Sequence, residues 1–277
     1  MALELPPSLS PSKVASFQDC ALAFRFSAID RLPEPPSLPA TRGTLVHAAL
    51  ERLFCVEPAE RTIDHALACL AEAAAAMADD PDLVDLDLDD DGHAQLMVDA
   101  DALVHKYFQL EDPTSITPIG IELKLEAELG GLRLRGIIDR LELDDDGRLV
   151  VTDYKTGRAP SERFEQGRLG GVHFYSFLCE ELFGQRPARI QLLYLADPVA
   201  IVSEPSEQST RALRTKVTAI WNAVESACER ENFGPRPGKP CDWCSFKAYC
   251  PAFGGDPAQA VELLPKPVEA SLTPTSA

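Results

Sequence analysis

Between residues 120 and 157 apolar and polar positions alternate with a period of two, in "GIELKLEAELGGLRLRGIIDRLELDDDGRLVVTDYKTG". Alternation of that kind puts successive side chains on opposite faces of a strand, and the Gly-Gly pair and the DDDG run supply turns. The segment therefore predicts an antiparallel meander of three strands. Upstream the period lengthens. In "LSPSKVASFQDCALAFRFSAI" Ser10 is placed to cap a helix that opens with Pro11, and Val14, Phe17, Ala21 and Phe24 recur at helical spacing. A proline-rich connector, "LPEPPSLPA", leads to a second amphipathic helix in "TRGTLVHAALERLF", and residues 59 to 112 read as mostly helical around an acidic loop. Downstream, residues 172 to 183 predict a helix, "ARIQLLYLAD" an apolar buried strand, and 207 to 231 a long helix with Val217, Ile220, Trp221, Val224 and Cys228 on one side. The closing segment, rich in Pro, Ala and Ser, predicts disorder towards its end. No internal repeat is visible.

A chain of 277 residues with 45% hydrophobic content can bury a substantial core. No stretch reaches the roughly 18 apolar residues of a membrane span, and "MALELPPSLSPSK" has no basic start followed by an apolar run, so a soluble cytoplasmic protein is expected. In that compartment eight cysteines read as buried thiols plus a metal site rather than as a disulfide framework. The net charge of -18 argues against tight, autonomous binding to nucleic acid. Residues 79 to 91 carry eight Asp and no Lys or Arg, and the rest of the chain is acidic without them. A site that grips phosphate through metal ions remains compatible with this balance.

Two groups of residues carry candidate chemistry. In "TDYKTG" Asp153 and Lys155 share one strand face while Tyr154 takes the other, and Asp139, one hairpin earlier in "RGIIDRLEL", can approach Asp153. Two carboxylates and an ammonium in one small volume can hold Mg²⁺ and steady an attacking water; the plainer alternative is a solvated ion pair at a strand end. The second group is "CDWCSFKAYCP", whose Cys241, Cys244 and Cys250 form C-x2-C-x5-C, one thiolate short of a usual four-ligand site.

Three motifs, in order along the chain, resemble the PD-(D/E)xK nuclease superfamily and within it the RecB-type exonucleases: "GTLVHAALERL", "GIIDRLEL" and "VTDYKTG". The resemblance implies an α/β restriction-endonuclease-like core, with His47, Asp139 and Asp153 binding Mg²⁺ or Mn²⁺ and Lys155 assisting catalysis. By itself, a lone helical His47 beside apolar residues reads as a packed core histidine. One subgroup of the family carries a [4Fe-4S] cluster on one N-terminal and three C-terminal cysteines. Cys20 stands at the N-terminal position, so the resemblance implies a cluster on Cys20, Cys241, Cys244 and Cys250 that joins the two ends of the chain. Zn²⁺ is the alternative occupant, because four thiolates suit it equally and spacing does not separate the two. Cys55, Cys69, Cys179 and Cys228 read as ordinary buried thiols.

The family's Q-L-x-x-Y helix is matched here by "GGVHFYSFL": Tyr175 keeps its position as a candidate catalytic residue, whereas Gly171 stands where the glutamine belongs, with His173 nearby. Glu122, on the first strand of the meander, could orient a ligand or water, though the many charged residues of that strand favour plain solvation. "DLDDDG" at 87 to 92 begins like a calcium loop, but Val98 occupies its twelfth position, and "ELDDDG" at 142 to 147 lies between strands; neither is read as a calcium site. The expected organisation is one nuclease domain over 1-253, with a helical insertion at about 57-118, an iron-sulfur segment at about 235-253 and a disordered tail at 254-277. The expected activity is metal-dependent hydrolysis of DNA, exonucleolytic on single-stranded ends, in recombination or repair and alongside a helicase or other repair subunit, with no membrane partner. The alternative is an inactive DNA-end-binding or scaffold subunit with a structural metal cluster.

Overall fold

The Gly-Gly pair sets the first hairpin. In the computed structural model, which describes residues 3-160 and 162-263 but not the side chains of 162-170, 172 and 261-263, strand β1 (Pro118–Leu129) turns into β2 (Leu132–Leu143) through Gly130 and Gly131. Both glycines have positive φ, 58° and 86°, as a two-residue turn matched to the twist of the strands requires. The second turn is held by Asp144, whose Oδ1 accepts from the N–H groups of Asp146 and Arg148, at 3.1 and 2.8 Å. It delivers the chain into β3 (Leu149–Lys155).

These strands form a five-stranded sheet in the order β1-β2-β3-β4-β5, with β4 at Arg189–Tyr194 and β5 at Val199–Ser203. The first two pairings are antiparallel, β3 and β4 are parallel, and β4 and β5 are antiparallel. A parallel pair needs a long crossover, which helix α7 (Glu162–Phe183) supplies. β5 goes unannounced in the sequence because it is five residues long and buries only Ile201.

Helices α1 (Pro11–Asp19) and α2 (Ala21–Phe24) divide at Cys20, whose backbone is extended, and α2 continues as a π-helical turn over Arg25–Ile29. Ser10 accepts from the Lys13 N–H at 3.2 Å, in the capping role its position predicts. α3 (Leu38–Leu53), α4 (Ile63–Ala76), α5 (Pro81–Val84) and α6 (Asp90–Tyr107) follow, and α8 (Glu207–Glu229) comes after the sheet. The acidic run at 79-91 is where two of these helices begin. Asp80 accepts from Asp82 N–H at 2.9 Å and Asp89 from Gly92 N–H at 2.8 Å, while Asp90 and Asp91 face the positive end of the α6 dipole.

The described residues group into two compact units, one of 7-15, 35-160 and 162-224, the other of 3-6, 16-34 and 225-263. In the first, α3, α4 and α6 bury Leu50, Leu53, Leu70, Leu103 and Val104 with Tyr154 and Leu193 of the sheet and with Leu195 just past β4. Each such side chain contributes about 1.5–3 kcal/mol by leaving water. Contacts from α7 cover the opposite sheet face, where Gly136 meets Leu178 and Tyr175. In the second unit Phe24 and Phe26 are buried, and Phe26 packs on Phe246 with ring centroids 5.2 Å apart. Of the tail read as disordered, Pro257–Leu263 is a 3-10 helix and 264-277 lie outside the described residues. Among the described residues no helix is long and apolar enough to cross a membrane.

Candidate active site

The ladder between β2 and β3 ends at the pair Arg140↔Thr152. One residue further along, Asp139 and Asp153 are both buried, 7% and 4% exposed. The Tyr154 N–H, left without a ladder acceptor on β2, donates to Asp139 Oδ2 at 2.6 Å. The splitting of the two strands thus turns a backbone donor towards a carboxylate and fixes that carboxylate's orientation.

His47 reaches the split from α3. Its Nδ1 lies 3.6 Å from Asp139 Oδ2 and 3.8 Å from Glu122 Oε1, and its Nε2 lies 3.2 Å from the Tyr154 carbonyl oxygen. In the neutral tautomer that donates from Nε2 to this carbonyl, the Nδ1 lone pair faces both carboxylates. A ring nitrogen of His47 and a carboxylate oxygen each from Glu122 and Asp139 all fall within 4.8 Å of one another. One nitrogen and two hard oxygen donors suit Mg²⁺ or Mn²⁺, and the Tyr154 main chain orients two of the three, His47 and Asp139. Glu122 is the member that strand alternation reads chiefly as solvated. Its φ is +46°, left-handed for a residue with a Cβ, a conformation costing about 1–2 kcal/mol. The ladder skips it, pairing Ile121↔Arg140 and Leu123↔Ile138, so its expected partner is Asp139, a like charge. Strain and repulsion meet at the one place where a cation would relieve the repulsion.

Asp153 is occupied differently. Its Oδ2 is ion-paired with Lys155 Nζ and its Oδ1 accepts from Tyr175 OH at 3.2 Å. Burial works against charge on Lys155, but Asp153 and then Asp139 outweigh it and hold the ammonium above the ordinary lysine range. Burial, followed by Asp153, likewise raises the Tyr175 phenol, which therefore remains a donor. The structure brings together His47, Asp139 and Glu122 as one set, and Asp153, Lys155 and Tyr175 as a second beside it. Residues from both sets line a cleft of about 600 Å³ with Gly43, Thr44, Glu51, Thr156 and Gly157. Gly171 is exposed, with nothing within 4 Å of an added Cβ, and the Nδ1 of His173 is buried with no hydrogen-bond partner among the described residues.

The glycine of "GIID" places α7. A Cβ on Gly136 would stand 2.9 Å from Leu178 Cδ1 and 3.1 Å from Tyr175 Cε1. Gly136→Ala is expected to cost about 1–2 kcal/mol in urea unfolding and to move Tyr175 off Asp153. Tyr175→Phe should show the same kinetic defect without that loss of stability.

Burial, then Asp153 and Glu122, push Asp139 up to about 7, against the pull of His47 and the Tyr154 N–H. Burial lowers His47, but the neighbouring carboxylates of Glu122, Asp139 and Asp153 outweigh it and raise the imidazole above its ordinary value. Both groups must shed protons to become ligands, so Mn²⁺ affinity should strengthen between pH 6 and pH 8, with proton release visible as a buffer-dependent heat in calorimetry. A carboxyl raised above its unfolded value contributes stability that is complete below pH 3.8 and is lost as pH rises through about 7. Added Mn²⁺ should therefore raise Tm more at pH 8 than at pH 6.

The second unit gathers thiols. Cys20, Cys241, Cys244 and Cys250 are all partly buried. The Arg236 N–H points to Cys20 Sγ at 3.5 Å and the Gly238 N–H to Cys241 Sγ at 3.4 Å. Burial raises the Cys244 thiol, the Phe246 N–H partly offsets this, and Cys20, Cys241 and Cys250 are near enough to push it further. Cys69, Cys179 and Cys228 are buried as expected, whereas Cys55 is exposed, its Sγ 3.3 Å from the Glu51 carbonyl oxygen just past the end of α3.

Residues 8–251 match the profile of the PD-(D/E)XK nuclease superfamily. The Gene 69 protein of Mycobacterium phage D29 is 24% identical over 269 residues, covering 89% of this chain and 97% of that protein. The Gene 69 protein of Mycobacterium phage L5 is 29% identical over 136 residues, 48% of this chain and 44% of that protein. Among solved structures, a protein of Eubacterium rectale named "Putative exonuclease" shares the fold, with a TM-score of 0.56 at 10% identity over 86% of this chain and 87% of that one.

Proposed function

Because the chain belongs to the PD-(D/E)XK nuclease superfamily, which matches it over residues 8–251, we propose that it is a metal-dependent DNA exonuclease acting on single-stranded ends in recombination or repair. The observation that carries this reading is the convergence of His47, Glu122 and Asp139 beside the Asp153–Lys155 ion pair in one cleft. His47, Glu122 and Asp139 would hold Mg²⁺ or Mn²⁺, with Asp153 close by. A divalent ion there supplies electrostatic stabilisation of the negative charge that grows on phosphate oxygens during hydrolysis. The remaining work falls to the chain's own groups. Lys155 stays protonated, orients the attacking water by hydrogen bonding and balances charge on the phosphate. Asp153 holds the Lys155 ammonium in place, and Tyr175 holds Asp153 from its other oxygen. An acidic chain with such a cleft takes hold of phosphate chiefly where the cation sits, which favours short engagement at an end over a long duplex footprint.

In the same reading Cys20, Cys241, Cys244 and Cys250 hold a structural metal group, [4Fe-4S] in preference to Zn²⁺. Two main-chain N–H groups aimed at sulfur support it, since such bonds stabilise thiolate over thiol. Linear and circular forms of one single-stranded DNA, incubated with Mg²⁺, test the exonuclease reading. The linear form should shorten to mononucleotides or short oligonucleotides while the circle survives. Equal loss of the circle contradicts a requirement for ends.

A further inference from the structure

Arg140 follows Asp139 in the chain but turns to the other face of the sheet, where its exposure is 0%. Each of the five guanidinium N–H groups has an acceptor. Nε donates to Glu142 Oε2 at 2.7 Å; Nη1 to Glu111 Oε2 at 2.9 Å and Tyr154 OH at 2.8 Å; Nη2 to Glu111 Oε1 at 2.8 Å and Thr152 Oγ1 at 3.1 Å. Gln191 closes the network by donating to Glu111 Oε1 at 2.9 Å and Thr152 Oγ1 at 2.8 Å. The guanidinium carbon also lies 4.8 Å from the ring centroid of Phe54, the C-cap residue of α3, and Arg61 stands 5.1 Å from the same ring.

Beyond its chain neighbours, this network touches the candidate metal site through Tyr154. The hydroxyl of Tyr154 is held by Arg140, while its main chain does two other things. The N–H fixes Asp139, and the carbonyl oxygen faces His47 Nε2. Its ring also meets the His47 ring edge-on, with centroids 5.9 Å apart. A buried ion pair contributes little net stability over apolar residues of the same volume, so stability alone gives no reason for one here. What a guanidinium with five fixed donors does well is to hold its acceptors in one geometry.

We propose that the Arg140–Glu111 pair is the positioning device of the metal centre: it fixes the Tyr154 phenol, and the Tyr154 main chain then keeps His47 and Asp139 at the separation a divalent ion requires. Arg140 meets neither the substrate nor the ion, so it is a positioning residue, and its assignment rests on the site described above. Two variants separate positioning from mere packing. Tyr154→Phe removes only the hydroxyl and keeps the ring, and Arg140→Met replaces the pair's cation by an apolar chain of similar length.

Mn²⁺ binding is read from the loss of the free-ion electron paramagnetic resonance signal, alongside Tm and steady-state kinetics on single-stranded DNA. Supporting partners of metal ligands change affinity by about 10- to 100-fold, and Tyr154→Phe acts one bond further out. A rise of about three- to tenfold in the Mn²⁺ half-saturation is therefore expected for it, and a larger rise for Arg140→Met. Activity should return at saturating Mn²⁺ and KM for DNA should not move. If both variants bind Mn²⁺ like the parent and differ only in Tm, the network is structural and the proposal is overturned. If Arg140→Met does not fold, Tyr154→Phe alone decides. A parent that binds no Mn²⁺ overturns the metal-site reading and the proposal together, whereas a parent that binds with unaltered variants overturns the proposal alone.

Discussion

Asp139→Asn should lower single-strand hydrolysis by at least about two orders of magnitude, the scale of losing one preorganised charge in an active site. The substitution is nearly isosteric, and the new amide oxygen can still accept from the Tyr154 N–H that now meets Asp139 Oδ2 at 2.6 Å. What disappears is the charge that, in the proposed site, would join His47 and Glu122 in holding a cation. The same change should stabilise the metal-free protein above about pH 7, where Asp139 is otherwise ionised beside Asp153 and Glu122. Lower activity together with a higher Tm at pH 8 is therefore the expected pair of results. A fall in both marks Asp139 as a folding residue instead.

Cys20→Ser should produce the second large effect, on metal content and on the ends of the chain. Anaerobically purified parent is expected to be brown, with about four irons and four acid-labile sulfides per chain, against about one metal and no colour for zinc. The serine variant should lose most of that metal and expose residues 235-253 to protease, because metal binding in such small elements is largely their folding energy. Cys69→Ser and Cys179→Ser serve as controls. Both thiols are buried, 3% and 0% exposed, so the hydroxyl costs about 1–3 kcal/mol while the colour stays. Colour retained in Cys20→Ser but lost in a control assigns the cluster to other cysteines.

The parts of the fold written in local chemistry were legible. The Gly-Gly and DDDG turns fix the registers of β1, β2 and β3, and period-two alternation then sends Asp139, Asp153 and Lys155 to one face and Tyr154 to the other. Ser10 as a cap is equally local. The break at Cys20, which divides a helix that reads as continuous, has no breaker residue to announce it. The acidic run looks like a solvated loop because capping by Asp80 and Asp89 depends on where the chain turns, which composition does not record. Glu122, which the sequence offers only as a possible orienter of a ligand or water, stands in the structure among the candidate metal ligands. Lys124 and Glu126 further along β1 are charged and exposed, and nothing in its residue type announces the left-handed backbone that sets Glu122 apart. The sequence assigns Arg140 no role, since a buried cation is recognisable only once Glu111, Glu142 and Gln191 are seen around it.

Lys155→Met separates the proposed roles of a held divalent ion and a protonated lysine in DNA hydrolysis by this cleft. The substitution keeps the length of the side chain and removes its charge, leaving His47, Glu122 and Asp139 untouched. With Mg²⁺ the parent should shorten an end-labelled single-stranded oligonucleotide, and chelator should stop it. Lys155→Met should bind Mn²⁺ at least as well as the parent yet cut at least about a hundred times more slowly. A Lys155→Met protein that cuts as fast as its parent, or a parent that cuts equally well in chelator, contradicts the assignment.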